Sequence, residues 1–164
     1  MNFLMMKKKL FTKNECNEII SFSENENQWK KETNGVSYQI FMFKPNEFIS
    51  EKIMKYVKEI LGLSILTVNL AVLKYIEGDY FPRHTDRAGD GFNRDFLYNI
   101  TLKLNDDYEG GEFLLKDKVF FADVGDVYHY KSTEFHEVKP ITKGTRYTGL
   151  FYLRERDIEI SKLI

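Results

Sequence analysis

At Gly62 the pattern of this chain changes period, and the residues beyond it fall into short extended runs. Candidate strands fall at 64–75, 80–86, 96–105, 112–116, 118–121, 127–131, 136–139 and 145–153, with no helical repeat among them. Turn chemistry separates them at 106–111, 123–126 and 143–144. Eight short strands with no helix among them suggest a two-sheet jelly roll of the cupin type. The expected class is α+β: a double-stranded β-helix of about eight strands, with N-terminal helices packed on one sheet.

The preceding residues supply those helices. Thr12-Lys13-Asn14-Glu15 fits a capping box, and Cys16, Ile19, Ile20 and Phe22 form a stripe, so a helix is expected near 13–24. Extended pieces at 28–33 and 36–43 meet at Asn34-Gly35, a hairpin dipeptide. Asn46 is placed to cap a second helix running to about Leu61. Phe48, Ile49, Ile53, Tyr56, Val57, Ile60 and Leu61 form its apolar face, and Gly62 stops it. Residues 1–11 read as an edge strand or arm. One domain over 1–164 is expected, with 1–63 as support and 64–153 as the jelly-roll core.

Composition narrows the setting. At 43% hydrophobic and 15% aromatic the chain is globular, not disordered. A net charge of −1 gives no bulk attraction to nucleic acid or anionic membrane, so neither is an expected partner. The single cysteine excludes intramolecular disulfides and cysteine-cluster metal sites. The opening Met1–Met6 followed by Lys7-Lys8-Lys9 has the wrong order and length for a signal peptide. A cytoplasmic protein is expected.

Chemistry concentrates in Tyr80-Phe81-Pro82-Arg83-His84-Thr85-Asp86. His84 and Asp86, two apart on extended backbone, share one side and begin a metal site. The third ligand is His129 or His136. His129 lies mid-strand in Tyr128-His129-Tyr130, where an imidazole packs; His136 opens a strand, where it can face a barrel mouth. Arg146 decides for His136. It follows ten positions later, across a Pro/Gly turn, which puts the two on consecutive strands of an expected hairpin. Arg146 and Thr148 then share a face and suit the far carboxylate of a keto-dicarboxylate such as 2-oxoglutarate.

Together with 105–112 between them, these residues resemble iron(II)- and 2-oxoglutarate-dependent oxygenases of the prolyl 4-hydroxylase branch. The resemblance covers about 64–153, and the helix opening Phe11-Thr12-Lys13-Asn14-Glu15-Cys16 is similar to that branch's N-terminal segment. It implies metal ligation by His84, Asp86 and His136, and 2-oxoglutarate contacts from Tyr75, Asn99, Arg146 and Thr148. Asn99 stands where relatives usually carry threonine, and Lys103 where they carry tyrosine. Arg94, in the 87–95 loop, and Tyr152 are candidate substrate contacts; that loop is a candidate rim or lid.

The resemblance further implies Fe(II), 2-oxoglutarate and O2, with ascorbate as a reductant. The implied reaction is hydroxylation of a C–H bond, in first place of prolyl residues in a peptide or protein, with succinate and CO2 formed. The same chemistry on another side chain, a small molecule or a nucleic-acid base is the alternative, and a non-catalytic metal-binding cupin is the rival class. On the strand through Asn99, the apolar set Tyr98, Ile100, Leu102 and Leu104 should face the helices, and Asn99, Thr101 and Lys103 should line the site.

Overall fold

The computed structural model describes residues 7–86 and 95–159. In chain order the elements are β1 (Lys8–Lys9), α1 (Lys13–Glu26), β2 (Lys30–Glu32), β3 (Tyr38–Phe43) and α2 (Glu47–Tyr56). A π-helical turn, Val57–Leu61, prolongs α2. Then come β4 (Leu70–Tyr75), β5 (Phe81–His84), β6 (Phe96–Lys103), β7 (Tyr108–Gly110), β8 (Phe113–Leu115) and β9 (Lys118–Val119). The chain continues through β10 (Asp126–Lys131), β11 (His136–Val138), β12 (Ile141–Gly144) and β13 (Arg146–Arg154).

Both helices start where their caps put them. Thr12 accepts from the Glu15 amide at 3.1 Å while the Glu15 carboxylate accepts from the Thr12 amide at 2.9 Å. Such a cap stabilises a helix by about 1 kcal/mol. Asn46 Oδ1 accepts from the Ile49 amide at 2.9 Å. Gly62, at φ 70°, ends the second helix by donating its N–H to the Lys58 carbonyl. Phe48 departs from the expected stripe. It is 51% exposed, with the Lys52 ammonium over its ring at 4.6 Å.

The strands form an antiparallel seven-stranded sheet, in the order β1-β10-β6-β13-β4-β3-β2, and a four-stranded sheet, β5-β11-β8-β9, with β12 and β7 paired apart. β2 and β3 form the expected hairpin, Glu32 opposite Tyr38, and extend the large sheet beyond its jelly-roll strands. One face of that sheet is sealed by the helices: Cys16, Ile19, Ile53 and Tyr56 pack on Leu70, Val72, Ile100, Leu102 and Phe151. Burial pushes the Cys16 thiol up to about 11, which marks a packed hydrophobe and not a nucleophile. The other face, with Leu73, Tyr75, Tyr128, Tyr130 and Leu150, meets Phe113, Leu115 and Val138 of the small sheet.

Three sequence expectations are corrected. The run 64–75 is a strand only from Leu70; before it, a single antiparallel bridge joins Ile65 to Ile158, with the Leu66 amide donating to Asp157 O and the Glu159 amide to Ser64 O. Tyr108–Gly110 and Ile141–Gly144, in stretches read as turns, pair with each other. That pairing removes the expected hairpin. His136 lies on β11 in the small sheet and Arg146 on β13 in the large one. They approach across the barrel interior.

Candidate metal centre

Three ligand-type side chains converge at one end of the space between the sheets. β5 and β11 run antiparallel with His84 directly opposite His136. Asp86 follows β5 and is tied down by its amide, which donates to Ser132 O at 3.0 Å. One potential ligand atom from each of His84, Asp86 and His136 lies within 4.8 Å of the others. His84 Nε2 is 3.1 Å from Asp86 Oδ1, and His136 Nε2 is 3.5 Å from Oδ2.

The two imidazoles are oriented in the same way. His84 Nδ1 donates to the Pro82 carbonyl at 2.7 Å, and His136 Nδ1 to the Glu134 carbonyl at 2.9 Å. A carbonyl can only accept, so the Nδ1 proton is set and each Nε2 is turned toward the carboxylate. Phe81 stacks on His84 at 3.8 Å, and Tyr38 stacks on Phe81 at 5.2 Å. Rotation of the ring is thereby restricted.

Burial alone would push the Asp86 carboxyl up. Hydrogen bonds with His136 and His84, the charge on His136 and the Asn99 amide outweigh it and hold the group well below the usual carboxylate range. That balance uses protons on both Nε2 atoms. Without them three electron-pair donors face one another, an arrangement that a divalent cation would hold together. The donor set, two imidazoles and one carboxylate, fits iron(II) with open positions.

The cavity at this centre is also lined by Tyr75, Thr101, Tyr130, Thr148, Tyr152 and Arg146. Arg146 is 6% exposed, and its Nη1 donates to Thr148 Oγ1 at 2.6 Å. Its Nε has no partner, and among the described residues no carboxylate lies within ion-pair distance. A buried guanidinium without an anion is costly, so the cavity is built for an anionic group. The Arg146 guanidinium lies 5.3 Å from the centre of the Tyr75 ring, which faces it across the β13–β4 ladder.

Tyr152 stacks on Phe96 at 4.8 Å beside the metal cluster. Asn99, fully buried on β6, directs its amide to Asp86 Oδ2, and its own Oδ1 is unpartnered. His129 is on the opposite face, where Nδ1 meets the Tyr56 hydroxyl at 2.8 Å. Arg94 and positions 87–94 of the expected rim lie outside the described residues.

Sequence reasoning missed Gly111. At φ 65°, where other residues are strained, a Cβ would sit 2.3 Å from Ile141 Cδ1 and 3.1 Å from Arg146 Cδ, so glycine spares both the backbone and the side chains packed on it. The Gly110-Gly111 pair was the available signal. The carbonyls of Pro82 and Glu134 carry no sequence signal at all.

The profile of the 2OG-Fe(II) oxygenase superfamily matches residues 70–154, the stretch that carries this centre. The chain belongs to that superfamily. The iron(II) and 2-oxoglutarate of that superfamily fit the His–Asp–His cluster and Arg146, which has no carboxylate partner among the described residues.

Among the chain's curated relatives is a PKHD-type hydroxylase of Acinetobacter baumannii, 32% identical over 92 residues. The match covers 49% of this chain and 40% of that protein. Among solved structures, a Pseudomonas putida prolyl-4-hydroxylase superposes with TM-score 0.72 at 16% identity, over 91% of each chain. A prolyl hydroxylase from Trichoplax adhaerens, in complex with a hypoxia inducible factor peptide fragment, gives TM-score 0.70 at 18% identity. It aligns with 93% of this chain, and 84% of its own chain is covered. At such identities the likeness carries the fold, a double-stranded β-helix. Among the described residues no helix is long and apolar enough to cross a membrane.

Proposed function

We propose that this chain is an iron(II)- and 2-oxoglutarate-dependent hydroxylase acting on a C–H bond, with prolyl residues of a peptide or protein as its substrate. One observation carries the reading: the lining of a single cavity includes three converging electron-pair donors and a buried guanidinium with no carboxylate partner among the described residues. His84, Asp86 and His136 would hold the iron. Arg146 and Thr148 would receive the distal carboxylate of 2-oxoglutarate, with Tyr75 as a further hydrogen-bond donor. When bound, iron with 2-oxoglutarate and O2 supplies the oxidant that turns C–H into C–OH, leaving succinate and CO2.

The protein's own work is orientation and shelter. Nδ1 anchoring to Pro82 and Glu134 keeps both imidazoles aimed, and Asn99 holds Asp86. Phe81, Phe113, Tyr128 and Tyr130 line the cavity and exclude water from the reacting centre. Tyr152, beside the cluster, would meet substrate, and Arg94 is the second candidate. Ascorbate would serve as reductant, and the free, buried Cys16 suits a cytoplasmic setting. The prolyl substrate is supported by the names of the structural neighbours and by the peptide held in one of them. Residues 1–63 would act as support for the 64–153 core.

The test has two stages. Anaerobic addition of Fe(II) and 2-oxoglutarate should produce a weak visible charge-transfer band; a flat spectrum would identify a non-catalytic binder. Succinate release should then rise with proline-rich peptides that gain one oxygen by mass spectrometry. Peptide-independent turnover would move the assignment to another substrate.

A further inference from the structure

Three lysines among the described residues are half-buried: Lys52, Lys74 and Lys103. Lys52 pairs with Glu15 at 2.9 Å and Lys74 with Glu24 at 2.6 Å. Lys103 has no carboxylate within 4.0 Å among the described residues; the centre of the Tyr108 ring lies 6.0 Å from its Nζ. It sits on β6, flanked on both sides by β10 and β13, and is paired across the ladder with Thr148. Its side chain thus shares the face of Thr148, the residue that accepts the Arg146 hydrogen bond.

Lys103, Arg146 and Thr148 line one cavity of about 200 Å³, together with Tyr108 and, on its rim, the exposed Asp106 and Glu112. This cavity adjoins the metal-centre cavity through shared walls, Arg146, Thr148, Phe113 and Tyr128. Two cations on one face, one of them bonded to the Thr148 hydroxyl and neither with a carboxylate in ion-pair range among the described residues, repel unless an anion joins them. A carboxylate has two oxygens and can accept from both.

We propose that Lys103 is a second cationic ligand for the distal carboxylate of the co-substrate, so that this chain selects 2-oxoglutarate with a lysine–arginine pair. The proposal rests on the reading of Arg146 as the co-substrate anchor. Arg146 supplies direction through its planar fork. Lys103 supplies a mobile point charge from the neighbouring strand. The consequence is a specificity that depends on the negative charge at the far end of the keto acid, and on ionic strength.

The experiment titrates the Fe(II)-loaded protein anaerobically with 2-oxoglutarate and, separately, with 2-oxopentanoate, which has the same length and no distal carboxylate. Lys103→Met should weaken 2-oxoglutarate binding about tenfold or more, the scale of a charge-assisted hydrogen bond. It should leave 2-oxopentanoate and Fe(II) affinities unchanged, and Lys103→Arg should restore most of the loss. Without co-substrate, the melting temperature of Lys103→Met should match or exceed that of the parent, because an uncompensated charge is gone. Equal loss for both keto acids, or no loss for either, would overturn the proposal. Arg146→Gln separates the two ideas: if it loses discrimination while Lys103→Met keeps it, the anchor reading stands and the lysine assignment falls. If neither variant loses discrimination, both fall.

Discussion

Adjacent side chains of β6 and the residue after it lie in opposite environments. Ile100, Leu102 and Leu104 are packed with Cys16, Ile19, Ile53 and Tyr56 under the helices, all but sealed from water. Asn99 and Lys103, on the other face of the same strand, leave a carbonyl oxygen and an ammonium without a hydrogen-bonding or ionic partner among the described residues. Arg146 on neighbouring β13 does the same with its Nε. The helix-covered face is complete as it stands. The barrel face leaves polar atoms open that the proposed ligands would satisfy, so on that proposal stability and binding are divided across the thickness of a single sheet.

Substitutions should therefore report in different measurements according to the face they touch. The largest effect is expected from Asp86→Ala, which should abolish Fe(II) binding and succinate formation while the circular dichroism spectrum stays that of the parent. Wild-type succinate production by that variant would dismantle the metal assignment. Next, Ile100→Ala on the helix-covered face should cost about 2–5 kcal/mol in urea unfolding. Its folded fraction should keep the parent's affinity for 2-oxoglutarate; an affinity loss there would mean the two faces are not separable.

Asn99→Ala, one residue away, should do the reverse. Removing the partner of a metal-binding carboxylate typically costs about 10–100-fold in metal affinity. An Fe(II) titration should show that loss with less than about 1 kcal/mol of unfolding free energy. The smallest effect is a pH effect on the helix side. Burial pushes the Glu24 carboxyl up, but hydrogen bonds from Lys74 and Tyr147 outweigh it and hold it below its ordinary value. A depressed carboxyl stabilises the fold above its unfolded value of about 4, and that contribution fades as pH falls through the folded value. Glu24→Gln should therefore lower the melting temperature at pH 7 and close on the parent near pH 3. A gap that is constant across that range would show the contact to be purely steric.

Much of this arrangement was legible in the residues themselves. The alternation on β6 named both its faces, and the Thr12 and Asn46 caps placed the helix starts. His84, Asp86, His136, Arg146 and Thr148 were all singled out by type and spacing, and the structure gathers them around one cavity. Where the reading failed, the missing information was non-local. A hairpin joining His136 to Arg146 is the simplest connection for ten residues, but β12 turns aside to pair with β7, and the two side chains enter from different sheets.

What the sequence determined by itself was local: which residues alternate, where helices can begin and stop, and which side chains have the chemistry to bind a metal and a carboxylate. Those properties depend on neighbours two to four positions away. Only the tertiary structure decided that His84 stands opposite His136, that two backbone carbonyls aim their rings, and that Gly111 clears space for Arg146. It likewise placed Lys103 beside Thr148. Each of these is set by hydrogen bonds and packing between strands far apart in the chain, and neither residue type nor periodicity records which strands will meet.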